Sequence, residues 1–339
     1  MQNILGLDIG TRTIKIVEIE KKDKAKPVLV SYKVVEVNGI DTMSSDQLEI
    51  EKVTKLLSSI LSESRFETKN VNIALPEYAV FSRVIKIPKL KDKELASAIK
   101  FEAEQYIPLS MDDVNFDYSV VSETEDEMEV MIVAASKTEV NRYLKIISSS
   151  GLVVNEIEPE GFSVVRAVIQ ERDISVPTMI VKIGNTTTDI TITLAGSIRF
   201  TRTITTAGKA MTRALEQELD FSEIQAEEYK INYGLNESEL EGKVAKAILP
   251  MFDVITSEVK RAIAYYKSKH TVGVKRIILV GGTVKMPSLL INLASSVDIE
   301  VILGNPWLKI DYSVNIADNN KDDLGVEIAT AIGVALKDI

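Results

Sequence analysis

The chain has 339 residues, of which 45% are hydrophobic and 27% are charged, and its formal net charge is −10 at pH 7. This length allows about two or three domain-sized units with sizeable cores. An acidic chain is not expected to bind nucleic acid or anionic lipid as its main partner, because both attract basic surfaces. The absence of cysteine excludes disulfides and thiol catalysis, and a single histidine, His270, excludes histidine triads and histidine metal clusters.

The sequence also gives an expectation for location. No apolar run approaches the roughly 18 residues that a membrane span requires. The chain starts with a predicted strand that carries an acid at position 8, which is not the pattern of a signal peptide. We therefore expect a cytoplasmic protein without a membrane span of its own.

The predicted elements indicate an α/β protein with one inserted unit. Residues 80–150 have the order β-α-β-β-α, which predicts a small α+β subdomain, and residues 208–270 are mainly helical. The predicted strands are 4–8, 14–20, 28–37, 71–75, 79–87, 114–121, 128–135, a hairpin at 179–204, 276–280 and 299–303. The predicted helices include 46–62, 162–170, 253–267, 287–296 and one near 324–337.

One small pattern occurs twice in the chain, at residues 7–15 and at residues 181–189. Each copy is an apolar strand, a glycine, a run rich in hydroxyl side chains and a second strand. A glycine at the tip lets the backbone approach a ligand closely, and successive N–H groups with threonine hydroxyls form an anion-binding concavity. One such hairpin is usually a plain turn. Two in matching register predict facing clamps on the phosphates of one nucleotide, with a cleft between duplicated halves.

A double glycine follows a buried-type strand later in the chain. Gly281 and Gly282 end the strand 276–280, and the helix that follows is opened by Pro287. Bare backbone there would let a flat base or ribose lie against it, with the helix start near the phosphates. The sequence contains neither a P-loop nor a G-x-G-x-x-G motif in a strand–helix context, so those nucleotide-binding folds are not indicated.

Three motifs in order resemble those of a known superfamily. Residues 8–15 resemble the first phosphate motif of the actin/Hsp70/sugar-kinase superfamily, residues 181–192 its second, and residues 281–283 its adenosine motif. The resemblance implies an actin/Hsp70-like two-domain fold, with duplicated halves around a nucleotide cleft and with ATP and Mg as cofactors.

Five further stretches narrow the resemblance. They are 100–108, which is the most specific, 226–230, 258–266, 304–307 and 328–336. They resemble the PilM family of type IV pilus assembly proteins, which is related to the cell-division protein FtsA. This resemblance implies a cytoplasmic scaffold, peripheral to the inner membrane, that binds the cytoplasmic N-terminal tail of a bitopic PilN-like protein. Pilus assembly ATPases, the platform protein and self-association are further expected contacts.

The resemblance also implies four subdomains and a peptide groove. The first actin-like subdomain comprises 1–79, 153–177 and 322–339, the inserted α+β subdomain 80–152, the second actin-like subdomain 178–207 and 272–321, and the mainly helical subdomain 208–271. The peptide would lie between the first and the inserted subdomains, near a helix at 100–109. The apolar face of that helix, Ile99, Ala103 and Tyr106, is more simply explained by packing within its own subdomain.

The motifs give the cleft residues expected roles. Asp8 is the best candidate to hold magnesium through water, because Mg²⁺ keeps several waters and prefers carboxylates. Asp8 and Glu160 are the catalytic candidates, Glu160 by orienting water, although it is equally explained as a loop carboxylate at a helix start. The expected nucleotide-binding residues are Gly10, Thr11, Arg12, Thr13, Lys15, Lys182, Gly184, Asn185, Thr186, Thr187, Asp189, Gly208, Glu227, Lys230, Gly281, Gly282 and Thr283. Glu227 and Lys230 are equally explained as a surface i,i+3 pair.

The second hairpin departs from its relatives at its first position. The second motif of the superfamily usually begins with Asp, whereas this chain has Lys182, and Asp189 follows seven residues later. The first hairpin has the opposite order, Asp8 and then Lys15, so we expect positions 182 and 189 to face each other as 8 and 15 do. Lys182 would either pair with Asp189 or contact phosphate. One acidic metal support is then missing, which predicts ATP binding with poor hydrolysis.

Other functions stay open at this point. An FtsA-like membrane-associated filament protein would carry an amphipathic tail after its last helix, and the residues 337–339 that follow the last predicted helix do not indicate one. A small-molecule kinase of the same superfamily would need a catalytic base beside a sugar-sized pocket. A type II secretion scaffold would share much of the pattern, but usually with a membrane span.

Overall fold

The computed structural model describes residues 2–21, 25–90 and 92–337. Within these ranges the strands are β1 Gln2–Ile9, β2 Thr13–Lys21, β3 Val28–Glu36, β4 Asn70–Leu75, β5 Val80–Pro88, β6 Val114–Glu123, β7 Glu127–Ser136, β8 Val153–Pro159, β9 Thr178–Ile183, β10 Thr188–Leu194, β11 Ser197–Ile204, β12 Arg276–Val280, β13 Glu300–Leu303 and β14 Asp311–Tyr312. The helices there are α1 Gln47–Glu63, α2 Asp92–Ala103, α3 Lys137–Ser149, α4 Glu160–Val168, α5 Gly208–Leu219, α6 Glu223–Tyr233, α7 Lys243–Lys269, α8 Leu289–Ser296 and α9 Lys321–Ala335. The chain end after Lys337, on which the expected absence of a tail depends, lies outside the described residues.

Two mixed sheets that share a five-stranded topology form the two halves of the molecule, and β14 adds a sixth strand at one edge of the first sheet. The first has the order β14-β3-β2-β1-β4-β8 and the second has the order β11-β10-β9-β12-β13. In each half a central antiparallel hairpin, β1–β2 or β9–β10, gains a further antiparallel strand on one side and two parallel strands on the other. This is the duplicated α/β fold that the two sequence motifs predict.

Two helices lie side by side between the sheets and join the halves. Val164 and Val168 of α4 pack in one core with Ile180 of the second sheet. Helix α9 contributes one face to that core and buries another face against the first sheet. The helices approach closely because α9 has a glycine at the crossing: a Cβ on Gly333 would lie 1.8 Å from the carbonyl oxygen of Ser163. The start of α4 is therefore held at the boundary between the two halves.

The inserted subdomain has the three-stranded sheet β5-β7-β6. Ile99 and Ala103 of α2 are fully buried in its core, and Tyr106 packs against the same core. The simpler explanation of this helix face, packing within its own subdomain, is correct. Phe101 lies on another face of α2 and is 70% exposed.

Some elements differ from the sequence prediction. Helix α3 buries Tyr143 and Ile147 in the core of the first half, although the predicted inserted subdomain includes it, and β14 pairs with β3 of the first sheet although residues 272–321 are predicted to lie in the second half. Helix α7 is longer than the predicted 253–267, because Val244 and Ile248 extend its buried face N-terminally through Pro250. None of the described helices is long and apolar enough to span a membrane.

Candidate functional site

Both hairpins place an acid and a lysine directly opposite each other. Asp8 faces Lys15 across β1–β2, with 3.1 Å between Lys15 Nζ and Asp8 Oδ2. Lys182 faces Asp189 across β9–β10, with 4.0 Å between Lys182 Nζ and Asp189 Oδ2. The expectation that positions 182 and 189 face each other as 8 and 15 do is confirmed. The charges are reversed, because the acid lies on the strand entering the turn in the first half and on the strand leaving it in the second.

The two turns close on themselves and meet. The N–H of Gly10 and that of Gly184 each donate to the carbonyl oxygen of the residue three positions later, at 3.0 Å and 2.9 Å. The hydroxyl oxygens of Thr11 and Thr186 are 3.3 Å apart, and Asn185 Nδ2 donates to Thr11 Oγ1 at 3.2 Å. The glycine amides, which were expected to contact phosphate, are therefore used inside the turns, while the polar side chains at the tips border the cleft between the halves.

Most of the predicted site residues line this cleft. They are Asp8, Gly10, Thr11, Arg12, Thr13, Lys15, Glu160, Lys182, Gly184, Asn185, Thr186, Thr187, Glu227, Lys230, Gly281, Gly282 and Thr283. Asp189 and Gly208 lie behind the lining. Asp189 is buried and accepts hydrogen bonds from the hydroxyls of Thr203 at 2.7 Å and Thr187 at 3.2 Å. The N–H of Gly208 donates to the carbonyl oxygen of Gly184 at 3.1 Å, which fixes the start of α5 against the second turn.

The double-glycine turn requires glycine at its first position. Gly281 has a φ of +97°, and a Cβ there would lie 2.5 Å from the carbonyl oxygen of Ile183. The helix predicted after the double glycine is present, but it starts two residues later than predicted. Ser288 adopts a left-handed φ of +62°, so α8 begins only at Leu289, and a short 3₁₀ turn borders the cleft instead.

Glu227 and Lys230 form a buried pair at the cleft, rather than an ordinary surface pair. Lys230 Nζ donates to Glu227 Oε2 at 2.6 Å and to the carbonyl oxygen of Gly208 at 3.2 Å. Thr212 donates to the same carboxylate oxygen at 2.6 Å, and Arg12 Nη1 approaches Glu227 Oε1 from the other half at 3.4 Å. Burial opposes ionisation of Glu227, but Lys230 and these hydrogen bonds outweigh it and lower the pKa of Glu227. Burial lowers the pKa of Lys230.

The main partner of Lys182 is Glu160. Lys182 Nζ lies 2.5 Å from Glu160 Oε2, closer than Asp189, whereas the sequence offered only Asp189 or phosphate. The difference has a simple cause: Pro159 ends β8 in the first half, and Glu160 then opens α4 at the boundary where β9 of the second half passes. The residue predicted to orient water is thus held by the lysine that replaces an acid.

Glu77 is a buried acid of this cluster that the sequence prediction missed. Its carboxylate accepts the N–H of Gly161 at 2.8 Å, and its own N–H donates to Glu160 Oε1 at 3.4 Å. A signal existed, because Glu77 and Glu160 each follow a proline at the end of neighbouring parallel strands, β4 and β8. The carboxyl ends of parallel strands lie at one edge of a sheet, where ligands usually bind.

Burial controls the protonation of this cluster. Burial, reinforced by Asp189 and Glu160, raises the pKa of Glu77 to about 8. Burial also raises the pKa of Glu160 to about 7, against the opposing charge of Lys182. For Lys182, burial alone would lower the pKa, but the charges of Glu160 and Asp189 outweigh it and raise the pKa. At neutral pH Glu77 is therefore mainly protonated and Lys182 is charged.

Two more residues support the first turn without any signal in the sequence. The hydroxyl of Thr42 donates to the carbonyl oxygen of Gly10 at 3.1 Å, and Arg142 Nη1 of α3 donates to the carbonyl oxygen of Thr42 at 2.8 Å. Arg142 Nη2 also lies 3.3 Å from the hydroxyl of Tyr78, which borders the cleft. Helix α3 is thus linked to the first turn indirectly, through Arg142 and Thr42.

The donor set fits a magnesium ion that arrives on a nucleotide better than a resident ion. Among the described residues, no group of three or more His, Cys, Asp or Glu side chains is arranged to hold a metal. Asp8, the predicted neighbour of a metal-bound water, borders the cleft and pairs with Lys15. The equivalent position of the second hairpin carries the ammonium group of Lys182.

The family model of the type IV pilus assembly protein PilM matches residues 6–339. The chain belongs to the PilM family. Among curated relatives, FtsA of Neisseria meningitidis serogroup B is 30% identical over 116 residues, which are 34% of this chain and 28% of that protein. FtsA of Enterococcus hirae is 20% identical over an alignment of 380 positions, covering 93% of this chain and 84% of that protein.

Solved structures support the fold. A chain described as the PilM-PilN type IV pilus biogenesis complex matches with a TM-score of 0.86 at 24% identity, over 98% of both chains. MreB5 of Spiroplasma citri bound to ADP matches with a TM-score of 0.53 at 14% identity, over 90% of this chain and 92% of that one. The predicted actin-like fold of the FtsA/PilM type is thereby confirmed.

Proposed function

We propose that this PilM-family chain is an ATP-binding scaffold of the type IV pilus inner-membrane assembly complex, and that it holds the cytoplasmic N-terminal tail of a PilN-like membrane protein. One observation carries the proposal: the family model of PilM matches residues 6–339, which is almost the whole chain. The likeness to a chain from a PilM–PilN complex over 98% of the length supports the same partner. The protein would then be cytoplasmic and peripheral to the inner membrane through that partner.

The cleft supports nucleotide binding. The hydroxyls of Thr11, Thr13 and Thr186 would bind phosphate oxygens from both halves, and Lys15 would add a point charge. The bare backbone at Gly281 would receive the flat base or ribose. Magnesium carried on the phosphates would have Asp8 as its carboxylate neighbour, through water, and would shield phosphate charge.

Hydrolysis is expected to be weak. Phosphoryl transfer depends on positioning and electrostatics, including a group that orients the attacking water. Glu160 is the residue to which we assign that task, but its Oε2 lies 2.5 Å from Lys182 Nζ. A carboxylate in an ion pair is a poorer acceptor for a water proton. The chain would therefore hold bound ATP for a long time before cleaving it, as expected of a scaffold.

The inserted subdomain offers one side chain for the partner's tail. Phe101 is 70% exposed on α2, whereas Ile99 and Ala103 of the same helix are buried in their own core. An exposed aromatic side chain is the type of residue that anchors a bound peptide. We assign Phe101, and not the buried face of α2, to the groove for the PilN-like tail.

Affinity purification from detergent-solubilised membranes of the source cell, with MgATP and mass spectrometry, tests the scaffold. We expect recovery of a small single-span protein together with pilus assembly ATPases. The variant Phe101→Glu should recover the single-span protein at least about tenfold less, because a buried anchor typically contributes more than 1 kcal/mol.

A matched variant, Ile224→Glu, changes a side chain that is 81% exposed on α6 and should recover the partner normally. Recovery of cell-division proteins, or of no membrane protein, would contradict the scaffold and would favour filament or kinase assays. Equal losses for the two variants would remove Phe101 from the proposed groove.

A further inference from the structure

The charges that line the cleft balance among themselves. Five acidic and five basic side chains border it: Asp8, Glu36, Glu160, Glu227, Glu327, Arg12, Lys15, Lys182, Lys230 and Lys285. A nucleotide polyphosphate adds several negative charges, which a protein can balance with a divalent cation or with ammonium and guanidinium groups. The lining of this cleft has a basic side chain for each acid, so it offers a metal ion no excess of carboxylates.

The lysines of the two hairpins lie on opposite halves of the cleft. Lys15 leaves the first turn on β2, and Lys182 enters the second turn on β9. Because Thr11 and Thr186 bring the turn tips together, a phosphate held between the tips has one lysine on each side. A divalent cation in the same place would meet two ammonium groups, and like charges repel at this range.

The reversal of the second hairpin brings a positive side chain into the cleft lining without changing the net charge of the hairpin. Position 182 of the second hairpin is equivalent to position 8 of the first, because each residue pairs directly with the hairpin's other charged residue. A lysine there, in place of an aspartate like Asp8, makes the cleft lining at this position more positive by two charges, whereas Asp189, which takes the place of the lysine, is buried behind the lining. Two positive charges are what Mg²⁺ would bring.

We propose that the cleft binds a nucleoside diphosphate or triphosphate without requiring a divalent cation, because the ammonium group of Lys182 supplies the positive charge in its place. The inference rests on the proposed nucleotide binding. When the nucleotide enters, Lys182 shares its N–H donors between Glu160 and a phosphate oxygen, and an ammonium group has three of them. Lys182 is thereby the residue that makes nucleotide binding independent of magnesium.

Isothermal titration of ADP and of ATP into the purified chain, once with MgCl₂ and once with EDTA, tests the inference. The two dissociation constants should agree within about threefold, a difference of less than 1 kcal/mol. A loss of about 30-fold or more in EDTA would overturn the inference and leave nucleotide binding intact. Binding in neither condition would overturn both the inference and the nucleotide part of the proposed function.

A charge-exchanged variant, Lys182→Asp with Asp189→Lys, sharpens the test. It keeps the net charge and gives the second hairpin the order of the first. Its nucleotide affinity should fall at least about tenfold in EDTA relative to MgCl₂. The matched control exchanges an exposed pair whose atoms are 2.5 Å apart, Lys89→Glu with Glu123→Lys, and should behave as the unaltered chain does.

Circular dichroism shows whether the exchanged variant folds. Equal binding by the folded variant with and without magnesium would overturn the role of Lys182. The titration of the unaltered chain decides the metal requirement independently of the variant.

Discussion

The first and second hairpins have the same backbone but use their charges differently. Both have the same register, the same glycine-closed turn and the same cross-strand acid–lysine pair. Among the residues that the structure describes, Lys15 of the first hairpin has one carboxylate within 4 Å, that of Asp8, whereas Lys182 of the second contacts both Glu160 and Asp189. The comparison teaches that a duplicated fold fixes where charged groups lie, while the exchange of two residues decides what the site can do.

The largest expected effect comes from removing the lysine of each hairpin. Lys182→Met leaves the buried Glu160 and Asp189 without their cation and should cost about 3–5 kcal/mol of unfolding free energy at pH 8. Lys15→Met leaves only Asp8 and should cost roughly half as much. Urea unfolding of both variants measures the difference. Equal losses would contradict the claim that the second pair is the more strongly coupled one.

The pH dependence of the unfolding free energy tests the buried acidic cluster around Lys182, to which Glu77 belongs. Because the pKa of native Glu77 is raised to about 8 from an ordinary value of 4.5, its protonated form stabilises the fold, and that contribution is lost as pH rises from about 5 through 8. Glu77→Gln keeps an acceptor for the N–H of Gly161 and removes the titration. The variant should gain on the order of a few kcal/mol of unfolding free energy over the parent at pH 9, at about 1.4 kcal/mol per pKa unit.

Urea unfolding between pH 5 and pH 9 measures this slope, with the exposed turn residue Glu125→Gln as a control. We expect Glu125→Gln to follow the parent at every pH. A Glu77→Gln variant with the same slope as the parent would place the titration elsewhere in the cluster.

The smallest effect concerns the hydroxyl groups that support Asp189. Thr203→Val removes the donor 2.7 Å from Asp189 Oδ1 and should cost about 1–2 kcal/mol of unfolding free energy. Thr193 lies on the same strand as Asp189, β10, but four residues further along, and its buried hydroxyl has no hydrogen-bond partner among the described residues. Thr193→Val should therefore cost nothing or stabilise slightly. Thermal unfolding at pH 7 measures the change in Tm of each variant. Equal changes in Tm would contradict the claim that the hydroxyl of Thr203 stabilises Asp189.

The sequence predicts the repeated fold and most of the cleft lining because both depend on local patterns. Strand periodicity, a glycine and neighbouring hydroxyl residues are visible within nine residues of each hairpin, at 7–15 and 181–189. The cross-strand register then follows from the turn, so the facing of Lys182 and Asp189 is predictable as well.

The remaining features depend on distances between elements far apart in the chain. Glu160 reaches Lys182 because the C-terminal ends of β8 and β9 meet at the boundary between the halves. The apolar face of α3 is clear from its periodicity, but the pattern does not say which core receives it. Strand β14 has only two residues, Asp311–Tyr312, which is too short for any periodic signal.

Single-turnover hydrolysis of radiolabelled MgATP by the unaltered chain and by the Lys182→Asp, Asp189→Lys variant tests the central claim most directly. The account predicts that the unaltered chain keeps its ATP, and that the variant, with Glu160 released from Lys182 Nζ, cleaves it at least about tenfold faster. Equal rates, or rapid cleavage by the unaltered chain, would contradict the claim that the reversed second hairpin makes this protein a nucleotide-holding scaffold.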